Sequence, residues 1–265
     1  MSDNKQNFVL VPDAGPEPAP APGPRRPGVS LVDRVRALAA AAAALVPSAP
    51  LPVDPPPEPD SGGVTRPRLV FGFDATASRE PAWETARTVT DALVRALPGA
   101  LDVALAVHGG SRLHTFTAFT SDARTLRDHA AGITCQAGRT RLLAILSAAV
   151  ARPGVRVVTY IGDVYEESPA QGQKLADAMG ARGIKLIVLH DSSHWSARRD
   201  YETFLDLARR TGGCVLPFDA SAPARLRDLL AAVAVFAVGG AELVHQQRDR
   251  LPGAVMLLKH LGNGR

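Results

Sequence analysis

Three oxygen-bearing side chains, Asp74, Thr76 and Ser78, stand at alternate positions where the apolar run Leu69-Val-Phe-Gly-Phe73 gives out. Alternate residues of an extended chain share a side, so one carboxylate and two hydroxyls point the same way. If the run is a buried strand, they reach the carboxyl edge of a sheet, where open α/β folds hold their ligands. Oxygen-only donors of low total charge suit a hard divalent cation that keeps part of its water, magnesium ahead of zinc. Taken alone, the stretch reads more simply as a helix cap followed by a hydroxyl-bonded turn.

The elements that must position these residues follow from Arg68 onward. Apolar runs at Leu69–Phe73, Leu101–Val107, Arg112–Phe119, Arg156–Ile161, Ile184–Leu189 and Cys214–Phe218 read as strands. Gly109-Gly110 is expected to turn the second strand into the third as a hairpin. Amphipathic stretches at Glu80–Leu97, Thr120–His129, Leu142–Val150, Ser168–Arg182, Asp200–Thr211 and Ala222–Val238 read as helices, with Gly212-Gly213 closing the fifth. This alternation predicts a doubly wound α/β fold: a mostly parallel six-stranded open sheet of order 3-2-1-4-5-6 with one antiparallel edge strand. In that order the switch point lies between strand one, ending at Asp74, and strand four, ending at Asp163, so the two carboxylates converge.

Asp74-Ala-Thr-Ala-Ser78, Gly138-Arg-Thr140 at the head of a helix, and Asp163 closing a buried strand together resemble the metal-ion-dependent adhesion site of von Willebrand factor type A domains. Phe119-Thr-Ser-Asp122 and Thr211-Gly-Gly-Cys-Val-Leu-Pro-Phe218 are similar to that family's linking segments. The resemblance spans about residues 67 to 238 and implies a metal set of Asp74, Thr76, Ser78, Thr140 and Asp163. It implies magnesium or manganese there, with an Asp or Glu of a partner protein completing the octahedron. Four positions depart from the pattern, the first being Thr76 where serine is commoner, a conservative change. Ala77 stands where glycine is frequent, Gly162 where a hydroxyl residue usually precedes the aspartate, and Val164 where glycine usually follows. Glu166 and Glu167 come next and read as solvated residues ahead of a helix, with acid repulsion or metal ligation as the alternatives.

The rest of the chain bounds the answer. Residues 1–66 are rich in proline and alanine and are expected to form a disordered arm containing a short helix from Ser30; the globular domain is expected over 67–240 and a helical or loose tail over 241–265. The net charge of +4 is modest and scattered, with no aromatic-basic motif, which points away from nucleic acid. No apolar run reaches membrane-spanning length without help from alanine. Two distant cysteines, Cys135 and Cys214, argue against a zinc site or a disulfide framework and for a reducing cytoplasm. Arg25-Arg26 ahead of the alanine run imitates a twin-arginine signal, but Pro27, Asp33, Arg34 and Arg36 interrupt it. His190 and His194 flank a loop, and Trp195 reads as loop packing before partner contact.

Two functions from different classes compete. One is a non-enzymatic, metal-dependent protein-interaction module, with a metal-free scaffold as its fallback. The other is an aspartate-nucleophile phosphohydrolase or phosphotransferase using Asp74. Such enzymes want a second carboxylate two positions on as general acid, and this chain has Thr76 there, which favours the module.

Overall fold

A computed structural model of the chain describes residues 66–76, 80–96, 99–191, 197–218 and 222–262. Ser78, His194, Trp195 and the arm up to residue 65 lie outside them. The chain divides after residue 55, and every described residue belongs to the unit that follows.

Strand β1 (Arg68–Asp74) carries no polar side chain between its ends and is buried from Leu69 to Asp74. Burial on both faces is the condition of a central parallel strand, and it removes the polar alternation of a half-exposed one. β1 pairs in parallel with β2 (Asp102–Gly109) on one side and β4 (Val155–Gly162) on the other. β5 (Lys185–Asp191) and β6 (Cys214–Phe218) continue beyond β4, and β3 (Arg112–Phe116) adds antiparallel to β2. The order is β3-β2-β1-β4-β5-β6, as the sequence predicts.

Side chains leave the sheet alternately to two cores. Leu69, Phe71 and Phe73 join the core beneath α1 (Glu80–Val89), α2 (Ala92–Arg95), α3 (Ala123–Ala131), α7 (Pro223–Gln246) and α8 (Ala254–Gly262). Val70, Val158 and Tyr160 join the other, beneath α4 (Leu142–Val150), α5 (Pro169–Ala181) and α6 (Ala197–Thr211). Asp122 caps α3 by accepting from Thr125 N at 2.7 Å, and Ser168 caps α5 from the position before Pro169.

Three local readings change. The helix expected over Glu80–Leu97 breaks at Thr90-Asp91, where the Thr90 hydroxyl donates to the carbonyls of Ala86 (2.8 Å) and Arg87 (3.3 Å). That back-bonding competes with the helical ladder, while the Asp91 carboxylate accepts from Arg95 and Arg127. The hairpin turn falls on Gly110-Ser111 instead of Gly109-Gly110, both central residues having positive φ (58° and 65°). This is the signature of a two-residue turn matched to strand twist. The last long helix runs past Val238 to Gln246, bent at Gly240 (φ 66°, ψ −164°). By length and composition this helix would reach across a membrane. Its apolar residues, Leu226, Leu230 and Val233 among them, lie buried in the core instead. Beyond it, Leu257 of α8 is also fully buried there.

Gly213 precedes β6 so closely against β5 that a Cβ would overlap the Leu186 carbonyl oxygen. Gly213→Ala is expected to lower the unfolding free energy by about 2 kcal/mol or more. Gly262→Ala, with nothing within 4 Å, serves as the neutral control, and urea denaturation of the two variants decides.

Candidate metal centre

Asp74 ends β1 and is 1% exposed; Thr76 follows at 7%. The chain turns at once, because Asp74 Oδ1 accepts from Thr76 N at 3.0 Å while Ala75 N donates to the His108 carbonyl at 2.9 Å. Asp163 follows the last residue of β4 and is 6% exposed. β1 and β4 are neighbours with Phe73 opposite Ile161, so the two carboxylates leave adjacent strands, about 4.8 Å apart, at the same edge. A third buried carboxylate, Asp191, ends β5 at that edge.

The loop bearing Thr140 is drawn to the same place by backbone bonds. Gln136 N donates to the Ala75 carbonyl at 2.8 Å, so the loop packs beside the turn after Asp74. A Cβ at Gly138 would overlap the backbone of Gly110 and Ser111, so only glycine lets the β2–β3 hairpin tip lie against the loop. Ser111 then serves both neighbours: its hydroxyl accepts from Arg139 N at 2.9 Å and its carbonyl from Arg141 Nε at 2.9 Å.

Glu166 and Glu167 have structural duties that the sequence reading did not assign. Glu166 pairs reciprocally with Thr140: its carboxylate accepts from Thr140 N at 2.8 Å, and its own N–H donates to Thr140 Oγ1 at 3.1 Å. Glu167 accepts from Leu143 N at 2.8 Å. Since Arg141, at the N-cap of α4, makes no side-chain cap, Glu167 from the loop after β4 takes up one of the helix's first free N–H groups, that of Leu143, while Glu166 bonds Thr140 N just ahead of the cap. Partial burial raises the Glu167 carboxyl above its ordinary range, against the lowering effect of the Leu143 N–H.

On the α4–α6 face lies a polar pair within the sheet. His108, directly opposite Asp74 on β2, is fully buried. Its Nε2 is 2.7 Å from the Tyr160 hydroxyl, and its Nδ1, which has no hydrogen-bond partner, is 3.6 Å from Asp74 Oδ1. The Tyr160 ring crosses β1 over Gly72, where a Cβ would be 3.2 Å from it, and lies against Gly162, where a Cβ would overlap it. The departure at Gly162 thus has a steric cause: the ring fills the space that a side chain there needs. Burial, then the charge of Arg141, pushes the His108 pKa down from 6.5 to about 3, so the ring is neutral. His190, on the same face of β5, packs against Tyr201 and Phe204 at centroid distances of 5.3 and 5.6 Å.

The donors present suit a hard cation: two buried carboxylates on adjacent strands, with buried threonine hydroxyls in the flanking loops. Among the described residues no three His, Cys, Asp or Glu side chains form a cluster able to hold a metal, so such an ion would rely on hydroxyls and water for its remaining positions. The cavities of about 520 Å³ between α2 and α7 and about 290 Å³ beside Arg156, Arg182 and Lys185 include none of the candidate residues.

No family model matches the chain, and no curated protein matches it in sequence. Among solved structures, a von Willebrand factor type A protein from Catenulispora acidiphila superimposes with a TM-score of 0.54 at 15% identity, over 66% of this chain and 43% of that one. The pilus adhesin SpaC from Lactobacillus rhamnosus GG, in its open conformation, gives a TM-score of 0.54 at 11% identity, over 67% of this chain and 31% of that one. This chain therefore matches less than half the length of either. The fold is that of von Willebrand factor type A domains.

Two outcomes are expected from this geometry. The unfolded chain binds the His108 proton near pH 6.5 while the folded protein resists it down to about 3. Stability is then full above pH 6.5 and falls as pH drops through that window, by up to about 5 kcal/mol from this ring. Unfolding free energies measured from pH 7 to 4 should show the slope in the wild type and a shallower one in His108→Gln. Separately, Gly162→Ser should destabilise by about 1–3 kcal/mol through overlap with Tyr160. Melting curves that leave Gly162→Ser at wild-type stability would refute that steric account.

Proposed function

We propose that this von Willebrand factor A-like domain is a non-enzymatic interaction module that holds magnesium or manganese at Asp74, Thr76, Ser78, Thr140 and Asp163. The cation is offered to an Asp or Glu of a partner protein. The observation that carries the reading is the burial of Asp74 and Asp163 at the ends of adjacent strands, with Thr76 and Thr140 buried in the loops beside them. Two carboxylates bring a divalent cation close to neutrality, and neutral hydroxyl ligands leave it electrophilic enough to attract an outside carboxylate.

The capping of α4 supports the same reading. A bare helix N-terminus attracts acidic groups without metal, but Glu167 already accepts from Leu143 N in the first turn of this one, with Glu166 on Thr140 N just ahead of it. A partner's carboxylate approaching the edge meets their negative charge, and a cation reverses that repulsion. Thr140 can still ligate, because a hydroxyl that accepts one hydrogen bond from Glu166 N keeps a second lone pair. Cys135 and Cys214 form no disulfide, and we place the module in a reducing cytoplasm.

Calorimetric titration with MgCl2 and MnCl2, beside Asp74→Ala, tests the proposal. The wild type should bind one equivalent saturably, and the variant should lose binding while keeping its far-UV circular dichroism. Undiminished magnesium affinity in Asp74→Ala would sink the assignment. Capture of a partner should likewise fail in chelator and return on adding magnesium.

A further inference from the structure

We infer that His108 is the positioning residue of the metal centre, its Nδ1–H addressing Asp74 and its tautomer set by a hydrogen bond from the Tyr160 hydroxyl. The inference rests on the metal reading above and adds to it a second layer of residues that the sequence did not disclose.

A neutral imidazole has one N–H and one lone pair, and whichever nitrogen accepts leaves the other as donor. Here the choice is biased by position. Nε2 lies at 2.7 Å from Tyr160 Oη, a group able to donate, while Nδ1 faces a carboxylate, which only accepts. The arrangement satisfying both neighbours has Tyr160 O–H donating to Nε2 and Nδ1–H directed at Asp74. At 3.6 Å that second contact is too long for a hydrogen bond, and Nδ1 is fully buried without another partner. A buried donor left unmade is costly, so the ring gains when the carboxylate closes on it.

Thr76 N–H already donates to Oδ1, the oxygen that Nδ1 faces. Once the carboxylate closes on Nδ1–H, two donors on one carboxylate oxygen fix the rotation of the group and hence the direction from which it meets a cation. Hydrogen-bonded partners of metal-binding carboxylates set affinity in this way, and their loss weakens binding about 10–100-fold.

The construction around the pair shows that the Tyr160 bond is specified by the sheet itself. Tyr160 reaches His108 across β1 because Gly72 and Gly162 carry no side chains, and the two rings stack with centroids 5.8 Å apart. Arg141, tied to the Ser111 carbonyl, adds positive charge near the ring from the neighbouring loop.

Nitrogen-15 spectra of the metal-free protein, labelled at histidine, read the tautomer directly. The expected spectrum has His108 with a protonated Nδ1 and an unprotonated Nε2. A protonated Nε2 would overturn the inference. Manganese titrations then read the consequence. Tyr160→Phe, which frees the tautomer, and His108→Gln, which places its amide near Nε2, should each raise the dissociation constant about tenfold. His108→Asn, whose amide falls near Nδ1, should stay within about threefold of wild type. Wild-type affinity in both Tyr160→Phe and His108→Gln would overturn the positioning role while leaving the metal centre standing. Absence of saturable manganese binding in the wild type would remove both. If His108→Gln does not fold, Tyr160→Phe carries the comparison, since it deletes one oxygen and keeps the ring.

Discussion

A carboxylate buried at the end of a strand that is itself buried on both faces is the constraint around which this domain is arranged. Asp74 cannot be hydrated like a surface carboxylate, so its charge has to be met by oriented dipoles, hydrogen bonds or a cation. The Thr76 N–H is one such dipole, obtained by turning the chain immediately after the strand. His108 is a second group, brought opposite Asp74 by the parallel register of β1 and β2. The sheet order supplies the rest, since only with β4 next to β1 does Asp163 arrive at the same edge.

The loops over this edge are bound to one another. The Thr140 loop holds the hairpin tip through Ser111, the turn after Asp74 through Gln136, and the loop after β4 through Glu166. Each bond is made by backbone on at least one side, which fixes loop position without committing a carboxylate from Asp74 or Asp163. Glu166 and Glu167 bring two carboxylates to this edge, beside Arg139 and Arg141 of the Thr140 loop.

Much of this was legible in the sequence because it rests on patterns with a short reach. The alternation of apolar runs with amphipathic stretches carried the strand order, and the position of Asp74 and Asp163 after such runs placed them at one edge. What escaped depends on contacts across the sheet. His108 sits in Leu105-Ala-Val-His-Gly109 as one polar residue among apolar ones, and its alignment with Asp74 appears only once the register is known. Gly162 looked like an unexplained departure because its reason, the Tyr160 ring, lies two residues back on the same face. The Thr90 break was also hidden, because a threonine that bonds back to its own helix leaves the apolar spacing from Ala86 to Leu93 intact. Glu167 acts as a cap from 24 residues away, and capping rules look only at the helix's own beginning.

The ring of Tyr160 lying in the space above Gly162 has a meaning for inheritance. A side chain at position 162 costs stability while the large ring is present, and the ring cannot shrink without exposing His108 to an empty space. The two sites are therefore tied in descent: a lineage that gains a hydroxyl at 162 must first or simultaneously lose the aromatic residue at 160. Among relatives of this chain, glycine at the one and tyrosine at the other should be passed on as a unit, and a histidine at 108 should travel with them.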